Sequence, residues 1–193
     1  MTAFEEVRMA RSADALMSRH DLLRLASRGV RGELIRGVLC KTMPTGLEHG
    51  KVVMNLGILL GVFIKPAKLG TLAASDAGVL LERDPDTVRE PDLAYFSTEK
   101  LPLDMRVPGY AEVVPDLVVE VVSPHDSRRE VNDKALMWLR YGVRLVWVVD
   151  PDTRTVDVHR ENRAVVTLSE HHALDGLDVL PGFTCTVRDV FDA

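Results

Sequence analysis

P-D-L-V-V-E-V-V-S-P, residues 115–124, is apolar on both faces of an extended chain apart from two acids. A strand of that kind belongs in the middle of a sheet covered on both sides. Side chains alternate along it, so Asp116, Val118, Glu120 and Val122 share one face. Glu120 stands in mid-strand between Val119 and Val121, where a carboxylate is costly unless it is paired, hydrogen-bonded or bound to a metal. Downstream, 126–141 reads as a helix stopped by Gly142, and R-L-V-W-V-V at 144–149 as a second buried strand closed by Asp150-Pro151. A buried strand, a helix and another buried strand make an α/β fold with a mixed central sheet flanked by helices.

Upstream, E-P-D-L-A-Y-F at 90–96 reads as another strand, with Asp92 near its start, and E-R-D-P-D-T before it as a polar turn. Residues 47–65 form a helix with Val52, Val53, Leu56, Leu59, Leu60 and Phe63 on one broad stripe; His49 lies in that stripe and Glu48 on its edge. Residues 33–42 read as a strand or a hairpin bent at Gly37, and 18–28 as a short helix capped by Ser18. After 150, two short strands near 155–160 and 164–168 form a hairpin. Residues 1–17 show no period and read as a loosely ordered N-terminal arm ahead of one domain over 18–193.

Composition bounds the function. Hydrophobic residues make up 46% of the 193 and charged residues 27%, which is ordinary for a packed domain. The net charge of −5 counts against strong non-specific nucleic-acid binding, though a local basic patch or bound metal ions can still hold phosphate. Cys40 and Cys185 fit two free thiols in a reducing, cytoplasmic setting. The apolar run 52–64 falls short of the ~20 residues that span a bilayer.

The chemistry rests on a few positions. Asp92 and Glu120 on neighbouring strands can share one Mg²⁺ or Mn²⁺, cations that prefer oxygen ligands completed by water and substrate phosphate. The structural alternative for Glu120 is a salt bridge to an arginine. Lys134 falls on the flank of its helix's buried side, between Trp138 and Tyr141; its stem either snorkels outward or aims the ammonium at Glu120. A lysine so placed can orient an attacking water and offset transition-state charge. His49 reads either as a core residue or as a partner of the acids, with Glu48 as a third acidic group. His125, His159, His171 and His172 have no His-x-x-x-His spacing and read as surface residues.

The order of motifs resembles the Uma family, classed with restriction endonucleases in the PD-(D/E)XK nuclease superfamily. It runs E-L-I-R-G-V-L at 33–39, E-H-G at 48–50, P-D-L-A-Y-F at 91–96, the 115–124 strand, Lys134, Y-G-V-R-L-V-W-V-V-D-P at 141–151 and L-P-G-F at 180–183. The resemblance covers nearly the whole chain from about residue 18, and E-V-V-S-P and W-V-V-D-P are its most specific parts. It implies a restriction-endonuclease-like core, with Asp92 as the first superfamily aspartate and Glu120 as the acid of the (D/E)XK element. Two residues after Glu120 stands Val122 rather than Lys, and the resemblance moves that role to Lys134. The function implied is a Mg²⁺- or Mn²⁺-dependent endonuclease acting on DNA. Because a duplex has two strands and two-fold symmetry is the commonest way to present two identical sites, a homodimer is expected as well, with the 143–149 strand and the 155–168 hairpin as candidate contact regions. The alternative is a nuclease-fold binding or regulatory module without catalysis.

Overall fold

The computed structural model describes residues 16–42, 44–75, 77–124 and 126–192. The expected N-terminal arm therefore lies mostly outside the described residues. Of its last two positions, Met17 is tied down, its N–H donating to the Gly37 carbonyl at 2.8 Å.

The 115–124 stretch forms β7 (Leu117–Val121), buried at every position. It sits inside a six-stranded sheet with β3 (Gly70–Ala74), β6 (Leu93–Ser97), β8 (Leu145–Asp150), β9 (Thr155–His159) and β10 (Val166–Ser169), in the order β10-β9-β8-β7-β6-β3. Within it β7 and β8 pair parallel and every other pair is antiparallel. The mixed sheet is the one expected. Of β8, Val146 and Val148 are buried on the face that α3 covers and Leu145, Trp147 and Val149 in the core on the opposite face, which removes this strand as a contact surface for a second copy.

A parallel pair needs a crossover, and α3 (Arg128–Arg140) supplies it. Ser127 caps it: its hydroxyl accepts from Glu130 N–H while the Glu130 carboxylate accepts from Ser127 N–H, a capping box. Gly142, at φ +95°, takes the left-handed turn that ends it. Val131, Ala135 and Trp138, spaced at i, i+4 and i+7, are buried against Val118 and Val146 on one face of the sheet.

The opposite face is covered by α2 (Leu47–Ile64), whose Leu56 and Leu60 pack with Val119, Trp147 and Phe183. By length and composition α2 is apolar enough to cross a membrane, yet it buries Val52, Leu56, Leu60 and Ile64 in this core. Its outer side leaves Met54, Ile58 and Val62 exposed. The tail adds β11 (Ala173–Asp175), β12 (Thr184–Thr186) and α4 (Val187–Asp192) to the same side.

A second, four-stranded sheet is built from β1 (Gly32–Ile35), β2 (Val38–Lys41), β4 (Val79–Glu82) and β5 (Thr87–Arg89), in the order β2-β1-β5-β4. Leu34, Leu80 and Val88 pack there with Leu22 of α1 (Arg19–Ala26). The 90–96 strand of the sequence reading is corrected here. Thr87–Arg89 is a strand of the smaller sheet, Glu90 to Asp92 turns the chain, and β6 starts at Leu93 in the larger one. Pro91 suits the break, since it has no N–H to give a ladder.

Candidate nuclease site

β6 and β7 lie side by side. Their antiparallel register pairs Leu93 with Val119, so one step further Asp92 comes against Glu120. The turn at Asp92 sends its carboxylate across the strand end, where Oδ2 accepts the Val121 N–H at 2.7 Å. The same oxygen lies 3.2 Å from His49 Nε2 on α2. An ionised carboxylate only accepts, so Nε2 carries the proton in this contact. Burial opposes charging His49, but the hydrogen bond and charge of Asp92, joined by the charge of Glu120, outweigh it and raise its pKa above the usual histidine value.

Glu120 lies under α3, near enough to Asp92 for the charge of one carboxylate to act on the other. Its Oε2 accepts from Lys134 Nζ at 2.7 Å and its Oε1 from Trp138 Nε1–H at 2.7 Å. Burial pushes the Glu120 carboxyl up to about 7, with the charge of Asp92 pushing the same way and Lys134 opposing. Lys134 therefore aims its ammonium inward rather than snorkelling away. Burial works against its charge, but Glu120 first and Glu33 second keep its pKa above the ordinary lysine value.

Glu48 does not join this group. One residue along a helix is a rotation of about 100°, and His49 takes the inward direction. Glu48 is exposed and bonded to Lys51 one turn on, at 3.0 and 3.2 Å. Sequence reasoning in turn missed Glu33 and Arg89, a largely buried ion pair at 3.1 Å on the smaller sheet whose two charges both act on Lys134. Glu33 Oε1 also accepts the Glu90 N–H, which ties the turn before Asp92 to β1. Glu33 opens the stretch read as a strand at 33–42, where an acid is ordinary, so the sequence offered no signal for it.

Among the described residues no three or more His, Cys, Asp or Glu side chains come together as a metal-holding set. Two carboxylates nevertheless fit Mg²⁺, which binds through one or two carboxylates with waters and substrate phosphate. Each carboxylate has about four lone-pair sites, so the present contacts leave acceptor capacity. A hollow of about 180 Å³, lined by Thr45, His49, Gly50, Gly57, Ser75 and Leu93, opens beside His49. A larger one, about 480 Å³, lies on the far flank of α3. The carboxylates, not the larger volume, mark where phosphate chemistry is possible.

The family model described as "Uma2: Putative restriction endonuclease" matches residues 19–188. A crystal structure described as a "putative nuclease belonging to DUF820" from Anabaena variabilis ATCC 29413 superposes with a TM-score of 0.77 at 20% identity, over 91% of this chain and 97% of that one. At that identity the likeness establishes the fold. No curated protein matches the chain at a significant level.

Proposed function

The chain belongs to the Uma2 family, and from that premise we propose that it is a Mg²⁺- or Mn²⁺-dependent endonuclease of the PD-(D/E)XK type, hydrolysing phosphodiester bonds in DNA. The observation that carries the reading is the juxtaposition of Asp92, at the turn into β6, with Glu120 on the paired strand β7, and of Lys134 Nζ 2.7 Å from Glu120. Asp92 and Glu120 would hold the cation. When bound, it supplies Lewis acidity toward a phosphoryl oxygen and toward water.

The remaining work falls to this chain's own groups. Lys134 Nζ is a fixed positive charge that orients the attacking water and offsets negative charge gathering on the phosphorane-like transition state. His49 Nε2–H and Val121 N–H hold the Asp92 carboxylate in one orientation, which makes His49 a positioning residue. Trp138 Nε1–H does the same for Glu120. Glu48 has no part in this scheme. The setting is the cytoplasm, where Cys40 and Cys185 stay reduced. Two copies would present two sites to the two strands of a duplex, since two-fold pairing is the commonest closed assembly. The β9–β10 hairpin, an edge of the sheet with Val166 exposed, is the remaining contact surface of the two expected. Sedimentation giving a monomer at high micromolar concentration counts against pairing.

The test is cleavage of supercoiled, linear and single-stranded DNA with Mg²⁺ or Mn²⁺ by the full chain and by E120Q. The expected outcome is metal-stimulated cutting that E120Q abolishes together with Mn²⁺ binding. Wild-type protein that neither cuts nor binds Mn²⁺ overturns the reading. One observation favours the second reading, a non-catalytic module: both Glu120 oxygens already have protein partners. Mn²⁺ binding without cleavage of any DNA form supports that reading.

A further inference from the structure

The larger hollow, on the far flank of α3, contains none of the residues just assigned. It lies outside the carboxyl ends of β7 and β8, where open α/β sheets commonly take ligands. The chain segments that close those strands, Ser123-Pro124 and Asp150, line it. Its floor is the face of the sheet that α3 leaves bare. Val146 pairs with His159, Val148 with Asp157 and Asp150 with Thr155, so these residues share the side on which α3 packs.

His159, expected at the surface from its place near a strand end, is 3% exposed and lines the hollow. Among the described residues its Nδ1 has no hydrogen-bond partner. Such a buried orphan is costly unless something meets it. The expectation for His125 lies outside the described residues.

The lining is rich in acceptors. Asp126, Asp150, Asp152 and Asp157 stand around it against Arg128, the one Lys or Arg among its described lining residues. Asp150 uses Oδ1 to accept from Asp152 and Thr153 N–H, and Asp157 uses Oδ1 to accept from the Thr167 hydroxyl. Each then has a second oxygen to offer. Burial lowers the His159 pKa and keeps the ring neutral, so one ring nitrogen is an acceptor as well. Val122, Val131, Val148 and Val165 supply apolar surface between these groups.

We propose that this cleft is a second ligand site, distinct from the Asp92–Glu120 centre, that takes a small organic cation with an alkyl stem and two or more protonated amines. Acceptors spread along an apolar floor suit an elongated multiple donor. They suit a single metal ion less, because the described carboxylates do not converge as a metal set. The same charge turns a DNA backbone away from this flank.

Isothermal titration of the full chain with spermidine tests the site, with MgCl₂ at matched ionic strength as the comparison. Spermidine should bind one to one, and ¹H–¹³C spectra should show the His159 ring signals moving with occupancy. D150N/D157N keeps the hydrogen bonds made by Oδ1 and removes both charges; it should bind about tenfold more weakly or worse, a loss of at least ~1.4 kcal/mol. E120Q should bind spermidine normally, which separates this site from the nuclease reading. Absence of spermidine binding, equal binding by D150N/D157N, or displacement by Mg²⁺ as effective as by a competing diamine overturns the proposal. Unmoved His159 signals at saturation do so as well, without recourse to any variant.

Discussion

β7 and the residue just before it place two buried acids, Asp116 and Glu120, four residues apart, and they have opposite characters. Asp116 is 2% exposed and Glu120 4%, so burial alone does not separate them. Burial raises the pKa of both. For Asp116 it is outweighed by Ser97 N–H at 2.9 Å and by Lys100 Nζ at 3.0 Å, with Arg144 near by, and the pKa falls below the ordinary aspartate value. Glu120 has one lysine and an indole N–H, and it also feels the charge of Asp92, so its pKa rises to about 7. Asp116 is a structural acid whose charge is fully met. Glu120 is held in a condition in which an added cation would relieve it. That contrast is a better guide to chemistry than burial or strand position taken singly.

The comparison breaks most visibly in cleavage. Lys134→Met should cut DNA slower by roughly 10²–10³, the range for loss of one electrostatic donor to a transition state, while Mn²⁺ affinity holds or rises. Lys100→Met, the same change at the Asp116 end, should leave cutting intact. Equal rates for K134M and wild type would reduce Lys134 to a partner of Glu120 in the resting fold.

Stability should respond in the opposite order. Asp116→Asn leaves Lys100 facing a neutral group and weakens the Ser97 N–H bond. It should cost about 2 kcal/mol, in the range for hydrogen bonds to charged groups, with Lys100 and Arg144 partly exposed and so partly screened. Urea unfolding at neutral pH measures it. Glu120→Gln in the metal-free protein should cost less, because it removes a charge that the interior resists.

pH sharpens the same contrast. Glu120 has a raised folded pKa, so its stabilising contribution is present below about 4.5 and is lost as pH climbs through about 7. Asp116 has a depressed one, so its contribution is present above about 3.8 and is lost as pH falls further. Above 6.5, His49 adds a loss of the same sign as Glu120, because its folded pKa is also raised. His159, whose folded pKa is lowered, works the other way below 6.5, so the comparison is made against the variant: relative to E120Q, wild-type stability in urea should decline between pH 4.5 and 7, by at most ~1.4 kcal/mol per pH unit for one proton. Mn²⁺ affinity should climb over the same interval as the proton leaves Glu120. A flat Mn²⁺ profile would mean that Glu120 is not a ligand.

Trp138→Phe removes one N–H donor from Glu120 and trims a fully buried indole; lost bond and cavity together should cost about 2–3 kcal/mol, and the onset of Mn²⁺ binding should move to higher pH. Glu48→Gln should change nothing in any of these assays.

Much of this was legible in the sequence, for a local reason. β7, α3 and β8 are each defined by their own period and end signals, so Glu120 and the flank position of Lys134 follow from counting along the chain. Asp92 and His49 are distinctive in the same way, being polar residues in apolar patterns. Glu33–Arg89 was not legible, because it joins two strands of a sheet whose pairing is set by tertiary contacts. β5 has three residues, too few to show alternation; Thr87 was read into the turn before it, and Val88 and Arg89 into no element. Glu48 and His49 are neighbours on a helix edge; which of them turns inward depends on how α2 rolls on the sheet, and the broad apolar stripe fixes that roll only loosely. His159 misled because a histidine near a strand end is ordinarily wet, and only the β8 pairing shows otherwise.

The site is drawn from four separated segments: His49 on α2, Asp92 before β6, Glu120 on β7 and Lys134 on α3. Synthesis runs from the N-terminus, and domains fold largely as units. A growing chain therefore exposes both carboxylates before the lysine has emerged, and β7 gains its parallel neighbour only once β8 is made. If the proposed nuclease reading holds, the chain is in this way inert while it is being built: the site is completed late, with the docking of α3, and a product truncated before residue 134 carries acids without the ammonium that faces Glu120.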